Sequence, residues 1–196
     1  MRKPAETSVP IETVLAERWS PRALDETATV SESQLRAGLE AARWAPSFGN
    51  TQPARYLVGR RGEDTFERIL STLNSGNRAW AHRAGALLIG VMVTENGKGE
   101  VPYAEYGLGL ATQNLVLQAV SEGLVAHQMA GFSADAVREA FSLPAHAVPK
   151  VAIAMGTQAD PSVLGDERSV TRETAPRTRL ALSEFAFTGE WDAPAF

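Results

Sequence analysis

The chain has no cysteine among its 196 residues. That excludes disulfides, thiolate nucleophiles, iron–sulfur clusters and cysteine-ligated zinc, so any redox chemistry would need a bound cofactor. Long apolar runs are missing as well. The longest, Ala84 to Val93, falls far short of the ~20 residues of a membrane helix, and no apolar run follows Arg2 and Lys3 as it would in a secretory signal. A cytoplasmic protein without a membrane partner is expected. Positive charge is not in excess, since the formal net charge is -4, which leaves no general attraction for nucleic acid, although a local basic pocket could still form. Histidine is scarce, and His82, His127 and His146 are isolated from one another. There is no P-loop, no paired-histidine zinc helix and no Gly-x-Ser-x-Gly elbow. Gly107-Leu108-Gly109 lacks both the third glycine and the preceding strand of a dinucleotide fingerprint.

What is present is an ordinary globular composition, 44% apolar and 21% charged, at a length that fits one domain spanning 1–196. Ile11 to Arg18 reads as a short helix broken by Ser20-Pro21. Ser31 reads as an N-cap with Gln34 as its capping-box partner, and Leu35, Leu39, Ala42 and Trp44 fall on one side of the helix that follows. Tyr56 to Val58 is a short strand, and Asp64 opens a helix that Asn74 to Gly76 ends. The apolar run Ala86 to Val93 suits a central strand covered on both faces. Glu105 to Glu122 is the longest helix, apolar on nearly all sides, with Gly123 just beyond its C-terminus. Leu124 to Gln128 is a strand, Ser133 caps a helix ending near Pro144, and Val148 to Met155 is a last strand. From Asp160 onward no periodic run appears before Leu180. Leu180, Leu182, Phe185, Phe187, Trp191 and Phe196 there need apolar surface to cover, so 160–196 is expected to embrace a second copy of the chain. The order implies an α+β or α/β sandwich around one sheet.

Four segments could carry chemistry. In Arg18-Trp19-Ser20-Pro21-Arg22, two guanidinium groups and a hydroxyl leave a helix end, and guanidinium forks match phosphate oxygens. Ala45 to Pro53 (Ala-Pro-Ser-Phe-Gly-Asn-Thr-Gln-Pro) holds polar groups between two prolines, a rigid frame for a planar heterocycle or simply a loop of turn-forming residues. Gly123 to Phe132 leads a strand into a capped helix, where backbone amides can address anionic or carbonyl oxygens. His127 within it reads as a satisfied core histidine rather than a catalyst. Pro176-Arg177-Thr178-Arg179 can turn both guanidiniums one way if extended, or be a solvated tail.

In this combination and order, from Ile11 to Phe196, the motifs resemble the nitroreductase family of FMN flavoproteins. They are Arg-Trp-Ser-Pro-Arg, Ala-Pro-Ser-x-x-Asn-x-Gln-Pro, Gly-Asn-Arg-Ala-Trp (residues 76–80), Asn-Leu-x-Leu-Gln-Ala-x-x-x-Gly-Leu (residues 114–124), His-Gln-Met-Ala-Gly-Phe and Pro-Arg-Thr-Arg. The resemblance implies an α+β sandwich with a mostly antiparallel central sheet flanked by helices. It also implies an intertwined homodimer with exchanged C-terminal tails and one FMN at each of two sites between subunits. Arg18 and Ser20, with Arg177 and Arg179 of the tail, are expected to gather across two chains on the FMN phosphate, and Trp19 is expected among the cofactor-binding residues. Arg22 is expected near the pyrimidine edge, where positive charge favours reduced flavin. Pro46, Ser47, Phe48 and Asn50 would come from the second subunit. Asn77 would reach the isoalloxazine, and the backbone of Gln128, Met129, Ala130 and Gly131 its central ring.

The resemblance further implies ping-pong reduction of electron-poor acceptors, such as nitroaromatics or quinones, by NADH or NADPH. Flavin N5 carries the chemistry and no side chain is catalytic. A same-fold flavoenzyme with another reaction (dehalogenation, enal reduction, flavin fragmentation) and a non-catalytic flavin-binding protein are the alternatives. The chain departs from some relatives in having no lysine at Ala79, Trp80 or Ala81, and Ala130 where they carry glutamate.

Overall fold

A computed structural model describes residues 1–196. Seven helices surround a four-stranded antiparallel sheet. In chain order the elements are α1 (Thr13–Glu17), α2 (Glu32–Arg43), β1 (Ala54–Arg60), α3 (Asp64–Thr72), α4 (Ser75–Ala81), β2 (Ala86–Val93), β3 (Glu95–Asn96), β4 (Gly99–Glu100), α5 (Ala104–Ser121), β5 (Val125–Met129), α6 (Ala134–Phe141), β6 (Ala147–Gly156) and α7 (Glu167–Thr174). The main sheet runs β1-β2-β6-β5, every neighbouring pair antiparallel. β3 and β4 form a separate two-stranded ribbon.

The period of two along a strand divides the core. Leu87, Ile89 and Val91 of β2 point to one side, against Phe66 and Ile69 of α3, Trp80 of α4 and Val137 of α6. Ala86 and Leu88 point to the other, against Leu35 and Ala42 of α2 and Leu115, Val116 and Ala119 of α5. β2 therefore needs apolar residues at every position, and its unbroken run is the consequence of lying between two helical layers. The nitroreductase-like α+β sandwich expected from the sequence is the observed architecture.

Local signals fixed several boundaries. The Ser31 hydroxyl accepts from the Gln34 amide, and the Gln34 side chain accepts from the Ser31 N–H, so both halves of the capping box form. Gly123 follows α5 at φ +76, a conformation that glycine adopts without a Cβ penalty. Ser133 caps α6 through the Ala136 amide.

Other expectations are corrected. Trp44 does not join the buried stripe: it is the C-cap of α2 and 73% exposed, its indole donating to Glu40 at 3.0 Å. Asn74 does not merely end α3. Its carboxamide accepts from the Asn77 amide and starts α4. The first helix is shorter than Ile11–Arg18, spanning Thr13–Glu17. α5 buries one side only, leaving Tyr106 and Gly109 exposed and Leu110, Leu117 and Val120 half-buried. The tail contains a helix, α7, whose single buried side chain is Glu173. No helix is long and apolar enough to cross a membrane.

Candidate anion and flavin site

The segment from Arg18 to Leu24 is tied along the β5 edge of the sheet. Leu24 forms an isolated bridge with Gln158, the Asp25 N–H donates to Thr157, and the Ala159 N–H donates to Ala23. His127 of β5 meets the Pro21 carbonyl through Nδ1 at 3.0 Å. The imidazole is buried and tilted over the Trp80 ring at 4.7 Å, and burial pushes its pKa down to about 4, with Arg22 and Arg18 adding to the effect. His127 is thus a neutral core group that fixes the Arg18–Arg22 segment in place.

The tail reaches the same edge from the other end of the chain. The Arg177 guanidinium donates to the carbonyls of Lys3 and Ala16, each at 2.7 Å, the latter an α1 carbonyl that also accepts from the Ala5 N–H at 2.8 Å. Arg18 then stands beside Arg177 and Arg179. Burial, and next these two neighbouring cations, push the Arg18 pKa below its ordinary value. Arg177 is shifted the same way by burial and by Arg179.

None of Arg18, Arg22, Arg177 and Arg179 has a carboxylate ion-pair partner. Arg18 makes one side-chain bond, to the Ser20 hydroxyl at 3.3 Å. Arg22 stands near the Glu173 carboxylate, but gathering Arg18, Arg177 and Arg179 without an acid among them is unfavourable unless an anion neutralises them. Guanidinium forks and a hydroxyl are donors of the kind that can bind an oxyanion. Within one chain, Arg18 already lies beside Arg177 and Arg179.

Next to this cluster, β5 runs along the sheet edge with Gln128 and Ala130 exposed and Met129 buried. The strand gives way to a clamped turn. The Gly131 carbonyl accepts from the Asn74 N–H and from Asn77 Nδ2, both at 3.0 Å. A Cβ on Gly131 would lie 2.3 Å from Asn74 Nδ2 and 2.7 Å from Asn77 Nδ2, so glycine is required by close approach. The Asn77 amide nitrogen is thereby committed, leaving its Oδ1 free of partners within the chain.

The remaining expected residues lie elsewhere. Pro46, Ser47, Phe48 and Asn50 precede β1, at the opposite edge of the sheet from β5. Three strand spacings separate the two edges, about 14 Å. Ser47 Oγ accepts from the Gln52 N–H at 2.9 Å, and Gly49, Asn50 and Gln52 all have positive φ, which gives the loop a defined shape. Phe48 packs on Tyr103 with ring centroids 5.3 Å apart. The loop, α2 and α5 line a cavity of about 130 Å³.

Two residues at the site were not singled out from the sequence. Trp80 covers His127 and keeps an indole nitrogen without a partner in the chain. Glu173 binds the backbone of Arg22 and Ala23. Trp80 closes the Gly-Asn-Arg-Ala-Trp motif with no role attached to it, and Glu173 looks like one acid in a polar tail.

Comparison with known proteins identifies the family and the fold. A sequence description of the nitroreductase family matches residues 15–77 and 59–157. An uncharacterised 15.4 kDa protein of Mycolicibacterium smegmatis is 37% identical over 150 residues, 71% of this chain and 99% of that one. A solved oxidoreductase containing FMN superposes with a TM-score of 0.89 at 30% identity, covering 96% of both chains. A candidate nitroreductase of Desulfovibrio desulfuricans, solved in complex with FMN, shares the fold with a TM-score of 0.72 at 23% identity, covering 94% of this chain and 99% of that one. The chain belongs to the nitroreductase family.

Proposed function

We propose that the protein is a homodimeric FMN enzyme of the cytoplasm that takes electrons from NADH or NADPH and passes them to small electron-poor acceptors, nitroaromatics or quinones. The observation that carries this reading is the meeting of Arg18, Arg177 and Arg179, from both ends of the chain, with no carboxylate among them. Two of the solved relatives contain FMN. A Streptomyces coelicolor protein that is 39% identical over 67 residues, 34% of this chain and 32% of that one, is provisionally named as an NADH dehydrogenase or NAD(P)H nitroreductase.

When bound, FMN supplies the electron transfer itself. The chain's own work is to bind and orient. Arg18, Ser20, Arg177 and Arg179 hold the phosphate by charge-assisted bonds, and the buried Trp19, with Lys3 Nζ over its ring, joins Arg18 to Ser20 in the chain. Arg22 brings positive charge to the pyrimidine edge, which stabilises a reduced ring electrostatically. The exposed edge of β5, Gln128 to Gly131, and Asn77 line the ring. Since Pro46, Ser47, Phe48 and Asn50 sit at the far sheet edge, a second copy must bring its own loop to the site. The half-buried side of α5 and the tail 160–196 of this single domain would form the contact between copies.

The test is an anaerobic titration of flavin-loaded protein with NADH and with NADPH, followed by reoxidation with nitroaromatic and quinone acceptors. Bleaching of the visible flavin band by at least one nucleotide, and its recovery with an acceptor, is expected. A protein that retains FMN but bleaches with neither nucleotide overturns the reductase reading.

A further inference from the structure

We infer that Glu173 is a positioning residue that sets how strongly the flavin site selects for phosphate, an inference that rests on the FMN reading above. Glu173 is 1% exposed. Its carboxylate accepts from the Arg22 N–H, at 2.9 Å to Oε1 and 3.1 Å to Oε2, and from the Ala23 N–H at 3.0 Å. A buried charge persists only where several donors compensate it, and here the donors are backbone amides of the segment that carries Arg18, Ser20 and Arg22.

The same residue is held from two further directions. Its backbone carbonyl accepts from Lys3 Nζ at 2.7 Å, and the Lys3 carbonyl accepts from Arg177 at 2.7 Å. The N-terminal arm, the Arg18–Arg22 segment and the tail are thus fastened together at the end of α7. Arg18 lies on one of these segments, Arg177 and Arg179 on another, and they repel one another. Without a fastening, the separation that relieves this repulsion also pulls apart the two halves of the phosphate site. Glu173 makes no close side-chain ion pair, though its charge is felt by Lys3 and Arg22. Its direct bonds are to two backbone amides, and they depend on reach.

Reach and charge can be separated. E173D keeps the charge but shortens the side chain by one methylene, lifting the acceptor from Arg22 and Ala23. E173Q keeps the reach and one acceptor oxygen but removes the charge. E173A removes both. Riboflavin lacks the phosphate, so the ratio of FMN to riboflavin affinity isolates the contacts that Glu173 organises from those made by the ring.

The experiment is a fluorescence-quenching titration of flavin-stripped, full-length protein with FMN and with riboflavin, with melting temperatures recorded alongside. We expect the FMN-to-riboflavin affinity ratio to fall at least three-fold in E173D, to fall at least as far in E173A, and to fall less in E173Q. A ratio within three-fold of wild type in E173D and E173A overturns the inference, even where both variants melt earlier, because a merely structural role lowers stability without changing discrimination. If either variant does not fold, the other decides against E173Q. Wild-type protein that binds FMN no better than riboflavin overturns the phosphate site itself, and this inference with it.

Discussion

The Gly131 carbonyl accepts from Asn77 Nδ2 at 3.0 Å, while a Cβ on Gly131 would stand 2.7 Å from that same nitrogen and 2.3 Å from the Nδ2 of Asn74. The attraction and the exclusion have one cause: the turn after β5 is pressed against the start of α4. G131A adds no backbone strain, because Gly131 is not among the positive-φ glycines. Its cost is therefore overpacking, about 1–3 kcal/mol. The Asn74 cap is the nearer obstacle, so the cost should shrink in an N74A background. Urea unfolding of the two single variants and the double variant measures that coupling, and strictly additive losses would show that the clash is relieved some other way.

Arg18 and Arg177 occupy one cluster but should behave oppositely in the absence of flavin. Arg177 donates to two backbone carbonyls, so R177Q should lower the stability of flavin-free protein by about 1–3 kcal/mol. Arg18 has only the Ser20 hydroxyl and two neighbouring cations, so R18Q should leave the flavin-free melting temperature unchanged or raise it. Both variants should weaken FMN binding about ten-fold or more, the value of a lost charge-assisted bond. Thermal melts paired with flavin titrations give both quantities. An R18Q protein that is less stable without flavin would mean that Arg18 has a structural partner in the chain.

Sequence patterns located what depends on a local rule. Ser31 with Gln34 three residues later predicted a cap because those side chains reach only each other's backbone, and the run Ala86 to Val93 predicted a strand between two layers. Where one residue type serves two ends, the pattern was ambiguous. Asn74 ends one helix and begins the next, and Trp44 lies at the helical spacing of the α2 stripe yet one step past the last turn. α7 was invisible for a different reason. Helices are recognised by apolar periodicity, and the residue that α7 buries is a glutamate. The motifs named Arg18, Ser20, Arg177 and Arg179 as one site through resemblance alone. That one chain brings them together is a property of tertiary bonds through Lys3, Ala16 and Glu173, which spacing does not reveal.

His127 gives a pH signature. Its folded pKa is about 4 against an ordinary 6.5. Above pH 6.5 the group is neutral in both states and its contribution is intact. As pH falls from 6.5 toward 4, the unfolded chain takes up a proton that the folded one refuses, and stability drops by about 3 kcal/mol before levelling off. H127N retains an N–H for the Pro21 carbonyl but cannot titrate. The difference in unfolding free energy between wild type and H127N should therefore shift by about that amount across this window. Parallel curves would show that His127 is protonated in the folded protein.

The tail provides the sharpest test of assembly. Every hydrogen bond made by residues 180–196 stays within that segment, as in Ala195 N–H to Ala186 and Thr188 N–H to Ala193. Its large apolar side chains face outward, with Phe185 75%, Trp191 83% and Phe196 85% exposed. A segment that contributes so little to its own subunit can be removed cheaply from the fold. Ending the chain after Arg179 should leave helix content and the flavin-free melting temperature close to wild type. Burial of three such aromatics on a partner is worth several kcal/mol, at ~25 cal/mol per Å² of apolar surface. On the proposed assembly, the full chain should run as a dimer in light scattering and the truncated chain as a monomer. It should also lose FMN, if the proposed dimer brings the loop of Pro46 to Asn50 from a second copy to the arginine cluster. F185D with W191D should have the same effect at full length. A truncated chain that remains dimeric and holds FMN as tightly as the full one would place the contact between copies on α5 alone and leave the tail without a role in it.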